Sequence, residues 1–468
     1  MTESPISVFD RLVHAEPSPH TRPTLDTACV LGGSVAGLLA ARVLADHARR
    51  VVVVERDEVG TEGRSRAGVP QDRQVHSLLP AGRLWIERWL PGFTQEAQDL
   101  GAVLATPEQA QTCFDGRPQA PGGAHALLGA SRPFLESRLR ARVLALPNVS
   151  TVRGRATGLL YRDGAVSAVR HTTDRGEEVL ETDFVVDAMG RSSRLADWIH
   201  GDGYDKPRLE RLHSGINYAS ALFERSAPAE DLPVACSLVV YPPPYPSGTA
   251  VAAVNAIEDN KWLALLVGFG EDRPGRSVED FRAVCEELPP IYREAARGAS
   301  VREVVTYRQS DSRRRGFTGL GRFPARLVSV GDAVASFNPV YGQGMSSAAL
   351  HASCLSEFLR DDPRLDQQAT EFFRLQEVVV DAAWAVSAGG DAARLDAENG
   401  VEVPEEVRQQ RWALQQVIGA TVLDGTIAKA FNNVSFMLRH PFTLADPVLL
   451  ERAVAANQAA ALAGGEAV

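Results

Sequence analysis

Two glycine-containing segments, far apart in the chain, hold residues whose types and spacing could do chemistry. The first reads Gly32-Gly33-Ser34-Val35-Ala36-Gly37, between an apolar run and a helical pattern. Its first glycine permits a tight turn and its last lets a helix pack closely on a strand, while the helix start offers unpaired N–H groups and partial positive charge. Although a serine stands at the second glycine position, the segment predicts a pyrophosphate site.

A carboxylate closes the next apolar run. Val51–Val54 predicts a short buried strand, and Glu55 follows it, 23 residues after Gly32. A carboxylate there can accept hydrogen bonds from an adenosine ribose, and Arg56 could stack on the adenine. An ordinary tight turn is the alternative for the glycines alone, but the strand–helix–strand pattern and Glu55 favour a dinucleotide site.

The second segment runs from Gly331 to Ala352 and reads GDAVASFNPVYGQGMSSAALHA. It predicts a strand ending in Asp332, a loop, and a helix that opens at Gly344. A helix start directs amide groups at a ligand and stabilises negative charge there. A chance Gly-Asp followed by a loop is common, but the whole spacing is not.

This second segment resembles the second FAD motif of flavoprotein hydroxylases. The resemblance implies that Asp332 bonds a ribityl hydroxyl of FAD and that the helix start lies at the flavin. The further residues that it assigns to the cofactor are Pro339, Gly342, Gly344 and Met345.

A third segment, DAMGRSSRL, resembles the Asp-Gly motif of the same enzymes. Asp187 and Gly190 match it, and the resemblance implies contacts with FAD and NAD(P)H. Ala188 stands where the motif has a glycine, which leaves the choice between NADH and NADPH open. A purely structural turn between strand and helix is the alternative.

Two more segments narrow the resemblance. Arg66–Gly92 contains G-V-P-Q-x-R-x-x-H, and SRPFLESRLRARV begins at Ser131. Both are similar to the flavin-dependent epoxidases of polyether polyketide biosynthesis, and the likeness runs from about residue 27 to 360. By position, Gln71, Arg73 and His76 could border the isoalloxazine, while Arg132 could approach the ribityl or phosphate part. For His76, a hydrogen-bonded loop histidine is an equal alternative.

The chain is thus identified as a member of the aromatic-hydroxylase (group A) superfamily of FAD-dependent monooxygenases. Membership implies that NADPH or NADH reduces FAD, that oxygen forms a C4a-hydroperoxyflavin, and that one oxygen atom passes to a hydrophobic small molecule by epoxidation or hydroxylation. A polyketide or other secondary-metabolite intermediate is the expected substrate. The candidate pocket residues are Tyr218, Phe223, Trp262, Leu266, Phe337 and Tyr341.

Three other functions compete with this interpretation. An FAD-dependent reductase or dehydrogenase would share the motifs but insert no oxygen. A flavin-dependent halogenase would carry W-x-W-x-I-P and an active-site lysine, and neither pattern occurs here. A non-catalytic flavin-binding regulator is the third. Because the sequence has no second dinucleotide fingerprint, a partner flavin reductase could supply electrons, and a carrier protein could present the substrate.

The elements that must position these residues indicate an α/β fold, with a Rossmann-like parallel sheet, an antiparallel substrate lobe and a helical C-terminal region. Alternation of Val, Leu, Tyr and Ala predicts the antiparallel sheet. The predicted divisions are a flexible segment at 1–26, an FAD-binding domain at 27–205 and 316–362, a β-rich substrate domain at 206–315, and a helical region at 363–468.

Composition excludes several classes. A net charge of −10 disfavours nucleic acid as a partner, and the sequence has no apolar run long enough for a membrane span and no signal peptide. Five scattered cysteines without a C-x-x-C pair predict buried thiols rather than a metal site. Since the 49 basic residues include only three lysines, we expect a cytoplasmic protein of a high-GC bacterium.

Overall fold

A computed structural model describes residues 3–18, 23–58, 60, 62–66, 68–69, 71–225, 232–241 and 243–465. Ala67 and Pro70, inside the segment that resembles the epoxidases, lie outside these residues. So do parts of the N-terminal segment, of the substrate lobe and of the C-terminal end.

Thirteen helices are present in the described residues. They are α1 Pro5–Val13, α2 Val35–Leu44, α3 Pro80–Trp89, α4 Phe93–Asp99, α5 Arg132–Leu144, α6 Leu195–Gly201, α7 Val278–Glu286, α8 Pro290–Arg297, α9 Gly344–Arg360, α10 Thr370–Glu398, α11 Glu405–Ala420, α12 Gly425–Ser435 and α13 Pro447–Gly465.

Eighteen strands complete the described elements. They are β1 Leu25–Leu31, β2 Ala48–Glu55, β3 Val103–Ala105, β4 Ala110–Phe114, β5 Arg117–Pro118, β6 Leu127–Gly129, β7 Val149–Arg153, β8 Arg155–Arg162, β9 Ala165–Thr173, β10 Gly176–Glu181, β11 Phe184–Asp187, β12 Arg208–Glu224, β13 Ala235–Val239, β14 Val251–Ile257, β15 Lys261–Phe269, β16 Val305–Gly316, β17 Leu327–Ser329 and β18 Ala335–Ser336.

A five-stranded parallel sheet carries all three motif segments. Its order is β17-β11-β1-β2-β7, and its central strands are Val-rich and buried, as parallel strands are. Leu31 pairs with Val54 on one side and Asp187 on the other, and Asp187 pairs with Ser329. The motifs that follow these strands therefore meet at one edge of the sheet, where ligands of such folds bind. This confirms the predicted Rossmann-like sheet.

An eight-stranded sheet forms the second layer. Its order is β18-β16-β12-β15-β14-β13-β4-β5, and the run from β12 to β15 is antiparallel as predicted. Helices α7 and α8 cover one of its faces. The expected 206–315 lobe also receives β4 and β5 from residues 110–118 and β18 from 335–336, because strand pairing joins segments distant in sequence.

The helical C-terminal region is also confirmed. Helix α10 is 29 residues long, and α11 packs against α13 and α12. No helix in the described part of the chain combines the length and the apolar character needed to cross a membrane.

The N-terminal segment differs from expectation. Pro5–Val13 is a helix with Ser4 at its N-cap, and Val8, Phe9, Leu12 and Val13 are buried. Helix α1 packs on α9 and α10. The prediction of a flexible segment is wrong for this helix, because its apolar residues at helical spacing form a stripe that the flanking prolines obscure in the sequence.

Candidate active site

One cavity of about 1560 Å³ lies between the two large sheets and the C-terminal helices. The motif segments line one half of it, which we call the motif half. The face of the eight-stranded sheet and helices α10–α12 line the other, which we call the apolar half. The two halves are continuous.

The first and last glycines of the first turn are both required by close contacts. Gly32 has φ +105°, and a Cβ added there would lie 2.5 Å from the Ala188 carbonyl oxygen. A Cβ added to Gly37 would overlap the carbonyl oxygen of Gly32. Gly32 lines the cavity, whereas Gly37 does not and instead lets α2 approach β1.

Glu55 lines the motif half and also holds the turn. Its Oε2 accepts a hydrogen bond from the Gly33 N–H at 2.7 Å, and its Oε1 accepts one from the Asp57 N–H at 2.9 Å. Gly33 itself does not line the cavity. Because each carboxylate oxygen can accept a second hydrogen bond, Glu55 can still bind a ribose hydroxyl, with Arg56 also in the wall.

The start of α2 faces the cavity together with a cation. Ser34, Val35 and Ala36 line it, and the Ser34 hydroxyl donates to Glu136 at 2.7 Å instead of capping the helix. The guanidinium of Arg132 donates to Ser34 at 3.2 Å, while its Nε has no hydrogen-bond partner in the described residues. Open helix N–H groups beside a guanidinium fit a pyrophosphate.

Glu136, which the sequence analysis missed, organises this charge. Its carboxylate lies 2.6 Å from Arg66, 2.6 Å from Arg140 and 3.5 Å from Arg132. Burial acts to raise the pKa of Glu136, but the arginines and Ser34 outweigh it and hold the pKa at about 2. The i, i+4 spacing of Arg132, Glu136 and Arg140 in the sequence was the available signal.

The third segment divides between structure and cavity. Asp187 is buried and accepts hydrogen bonds from the Met189 N–H and from the hydroxyls of Ser193 and Ser329, and it does not line the cavity. Asp187 therefore holds the turn between strand and helix, and its contact with FAD stays a prediction. Gly190, with φ +67° and open space at its Cβ position, does line the cavity.

The second FAD-like segment lines the cavity along its length. Asp332 is in the wall; burial raises the pKa of its carboxyl group, and Arg132 and Arg191 oppose this. An added Cβ on Gly344 would meet nothing within 4 Å, so the start of α9 is open. The other residues of the segment in the wall include Pro339, Gly342 and Met345.

The residues expected at the isoalloxazine are separated by the fold. Gln71 and His76 line the cavity, but Arg73 does not. Arg73 is exposed, and its carbonyl oxygen accepts a hydrogen bond from Arg302. Burial and Arg132 lower the pKa of His76 to about 4. His76 is therefore neutral at pH 7, and its Nδ1, 2.9 Å from the Gln74 carbonyl oxygen, carries the proton.

The candidate pocket residues lie on opposite sides of the eight-stranded sheet. Tyr218, Phe337 and Tyr341 line the cavity. Phe223, Trp262 and Leu266 do not, and they are buried in the cluster beneath α7 and α8. Side chains alternate along a strand, so Tyr218 and Phe223, five residues apart on β12, must point to opposite faces. The strand pattern gave this alternation but not which face was the pocket.

Asp391 on α10 is a further buried group in the wall that the sequence analysis missed. Its Oδ1 accepts a hydrogen bond from the Asn338 Nδ2 at 2.8 Å, and burial raises its pKa to about 6. The available signal was the Gly389-Gly390-Asp391 run, since glycines inside a helix often mark a close approach. A Cβ on Gly390 would overlap the Tyr341 hydroxyl.

The arrangement fits FAD by several independent features of the wall. These are the uncapped start of α2 with Arg132 for a pyrophosphate, Glu55 for a ribose, Asp332 for a polyol, and open space at Gly190 and Gly344. A side chain at either glycine would fill space that a planar ring system or its chain could use.

Comparison with known proteins agrees with this fit. A family model described as "FAD binding domain" matches residues 25–362. Protein Rv3254 of Mycobacterium tuberculosis is 30% identical over 450 residues, which cover 92% of this chain and 94% of the relative.

Two solved structures share the fold at low sequence identity. The p-nitrophenol 4-monooxygenase of Pseudomonas putida superposes with a TM-score of 0.62 at 18% identity, over 90% of this chain and all of that one. A flavin-dependent brominase superposes with a TM-score of 0.60 at 14% identity, over 91% of this chain and 97% of that one. At these identities the likeness shows the fold alone.

Proposed function

Since the chain belongs to the FAD binding domain family, we propose that it is an FAD-dependent monooxygenase that inserts one oxygen atom into a hydrophobic small molecule. The observation that carries the proposal is the continuity of the motif half with the apolar half. A volume of about 1560 Å³ exceeds the roughly 300–1,000 Å³ of a site for one small molecule. The cavity thus has room for a dinucleotide cofactor and a substrate together.

In this proposal the motif half holds the cofactor. The start of α2 and Arg132 would bind the pyrophosphate, Glu55 the adenosine ribose and Asp332 the ribityl chain, with Gly344 and Met345 at the ring. When bound and reduced by NADPH or NADH, FAD supplies the activation of molecular oxygen and the transfer of one oxygen atom. Arg132 and the start of α9 would supply positive potential to the reduced cofactor.

The apolar half would hold the substrate and exclude water. Tyr218 and Leu265 present one wall from the sheet, and Val386 and Ile418 present the other from α10 and α11. The lining is mostly apolar, which suits a hydrophobic substrate with few polar anchors.

The resemblance to polyether epoxidases extends the proposal to reaction type. An electron-rich alkene or aromatic ring suits transfer of an electrophilic oxygen, so epoxidation or hydroxylation of a polyketide or other secondary-metabolite intermediate is proposed. The partners would be that substrate, molecular oxygen, either NAD(P)H alone or a flavin reductase, and a carrier protein that presents the substrate.

Halogenation is the alternative that the fold of the brominase raises. Against it, the chain lacks the W-x-W-x-I-P pattern. None of Lys206, Lys261 and Lys429, all within the described residues, lines the cavity. A reductase or dehydrogenase that inserts no oxygen would need the same motif half, so only its products distinguish it from a monooxygenase.

The test begins with the absorbance spectrum of the purified protein supplied with FAD. We expect two visible flavin bands that bleach on anaerobic addition of NADPH and return in air. Oxidation of farnesol and 1-naphthol under ¹⁸O₂ should then give products carrying one heavy oxygen. A colourless protein that ignores FAD would overturn the proposal, and NADPH consumption without heavy-oxygen products would favour the reductase.

Cofactor placement is tested in parallel with two variants. Asp332→Ala and Gly37→Trp should each lose bound flavin, whereas Asp366→Ala, at an exposed position outside the cavity wall, should not. Full flavin occupancy in both of the first two variants would show that FAD binds elsewhere.

A further inference from the structure

Asp391 belongs to the wall of the cavity, and one of its two carboxylate oxygens has no hydrogen-bond partner in the described part of the chain. The side chain is buried, with 2% of its residue surface exposed. Oδ1 accepts from Asn338, while Oδ2 has no hydrogen-bond partner among the described residues. A buried carboxylate oxygen without a donor is costly. Because neighbouring atoms cover Oδ2, a ligand that supplies a donor binds it once the Asp391 side chain turns toward the cavity that the residue lines.

The neighbouring groups leave this oxygen unpaired. The Tyr218 hydroxyl is directed to Asn338 Oδ1 at 3.5 Å, not to Asp391. Arg394, one turn along α10, donates to Glu398 and to the Ser214 carbonyl oxygen and lies over the Phe269 ring. It is a nearby positive charge without a hydrogen bond to Asp391.

The position of Asp391 is set from two sides. Asn338 orients its carboxylate, and Asn338 is itself held by the Ser387 hydroxyl, to which its N–H donates at 3.0 Å. The glycine at 390 lets α10 approach Tyr341 closely. Asn338 belongs to the proposed cofactor segment and α10 lines the apolar half, so the hydrogen bond between Asn338 and Asp391 lies where the two halves meet.

We infer that Asp391 anchors the substrate by accepting a hydrogen bond from a hydroxyl or N–H group of an otherwise hydrophobic molecule. This inference rests on the proposed function and names the substrate class more closely: an apolar skeleton with a hydrogen-bond donor close to the carbon that reacts. Asp391 is a substrate-positioning group, and the oxygen transfer itself needs no proton from it.

The charge of Asp391 makes the anchor dependent on pH. Burial raises its pKa to about 6, with Asn338 and Arg394 opposing. The other titratable groups that face it are Tyr218 and Tyr341, whose pKa values burial raises; both stay neutral. The carboxylate is therefore an acceptor at pH 8 and becomes a protonated donor at pH 5.

The test compares farnesol with farnesyl methyl ether, which has the same skeleton but no donor. Binding to the FAD-loaded enzyme is followed by perturbation of the flavin spectrum. At pH 8 wild type should bind farnesol about ten to a hundred times more tightly, the range for one hydrogen bond to a charged group. With a pKa of about 6, about a tenth of the Asp391 side chains stay ionised at pH 5, so this preference should fall to about two- to tenfold.

The decisive variant is Asp391→Asn. The Asn338 Nδ2 group donates to the atom it faces, so it orients the new amide oxygen toward itself and leaves an NH₂ group at the free position. The preference for farnesol at pH 8 should then disappear. Asp381→Asn, on the same helix but paired with Arg314 and outside the cavity wall, should keep the wild-type preference.

The outcomes separate this inference from the function beneath it. Equal binding of alcohol and ether by wild type at pH 8, with NADPH-driven oxygen insertion intact, would overturn the anchor alone. If neither probe binds, the apolar half is not the substrate site, and the role of Asp391 as an anchor is overturned with it. If Asp391→Asn does not fold, the fall in preference in wild type between pH 8 and pH 5 decides the question.

Discussion

At the scale of single residues, Gly37 and Gly344 stand in similar motifs but meet opposite surroundings. A Cβ at Gly37 would overlap backbone that cannot move aside, and one at Gly344 would enter open cavity. We therefore predict that Gly37→Ala lowers the free energy of unfolding by about 1–3 kcal/mol. Gly344→Ala should leave flavin-free stability unchanged and weaken FAD binding.

Urea unfolding of the flavin-free proteins and fluorescence titration with FAD measure the two effects separately. A Gly344→Ala protein that binds FAD as tightly as wild type would remove the start of α9 from the cofactor site.

Glu136 gives a second prediction at this scale. Since arginines hold its folded-state pKa at about 2, below the unfolded value of about 4.3, its contribution is complete above pH 4.3 and is lost as the pH falls toward 2. Removing one partner of a buried ion network costs about 3–5 kcal/mol, so Glu136→Gln should lose this stability at pH 7. Its free energy of unfolding should also fall less steeply than that of wild type as the pH is lowered.

Urea unfolding at pH 7 and pH 3 checks this prediction. The control is Glu96→Gln, because Glu96 pairs with Arg142 at 2.7 Å near the surface, each side chain about a third exposed. Its cost should be about 1 kcal/mol or less. If both variants lose a similar free energy of unfolding, Glu136 does not stabilise the protein through a buried ion network.

At the scale of elements, β15 separates two functions on its two faces. Leu265 lines the cavity, while its neighbour Leu266 is buried beneath α7 and α8. Leu265→Trp should project an indole ring into the apolar half and weaken farnesol binding with little loss of stability. Leu266→Trp should cost about 1–3 kcal/mol or more by overpacking and leave the folded protein able to bind farnesol.

Urea unfolding and flavin-monitored binding on the same pair of variants test this division. If Leu266→Trp weakened binding while Leu265→Trp did not, the assignment of the faces would be reversed.

At the scale of the whole molecule, α1 ties the N-terminal segment to the C-terminal helices. Phe9 is 1% exposed and meets the His440 ring edge-on, with centroids 5.6 Å apart. Phe9→Ala should lower the free energy of unfolding by about 3–5 kcal/mol.

Ile6→Ala, on the exposed side of α1, should change stability by about 0.5 kcal/mol or less. Thermal unfolding of the two variants compares them directly. If Phe9→Ala unfolds at the same temperature as wild type, α1 does not pack against the core, and the N-terminal segment is flexible as the sequence predicts.

The sequence by itself determined the parallel sheet and most of the motif half. Strand, turn and helix in each motif are specified locally by apolar runs and glycines, and the ends of parallel strands meet at one edge. The sequence alone therefore predicts that Glu55, Asp332 and Gly344 lie at the same edge of the sheet. The antiparallel alternation of β12 and β15 was equally local.

Only the tertiary structure decided which face of β12 and β15 is the pocket, since both faces are apolar and a strand pattern does not say what packs on each. It likewise placed Arg73 at the surface and α1 in the core. It brought Asp391 to Asn338, 53 residues away in the chain. Burial and pairing across such separations depend on how elements pack against each other, and no local pattern records that.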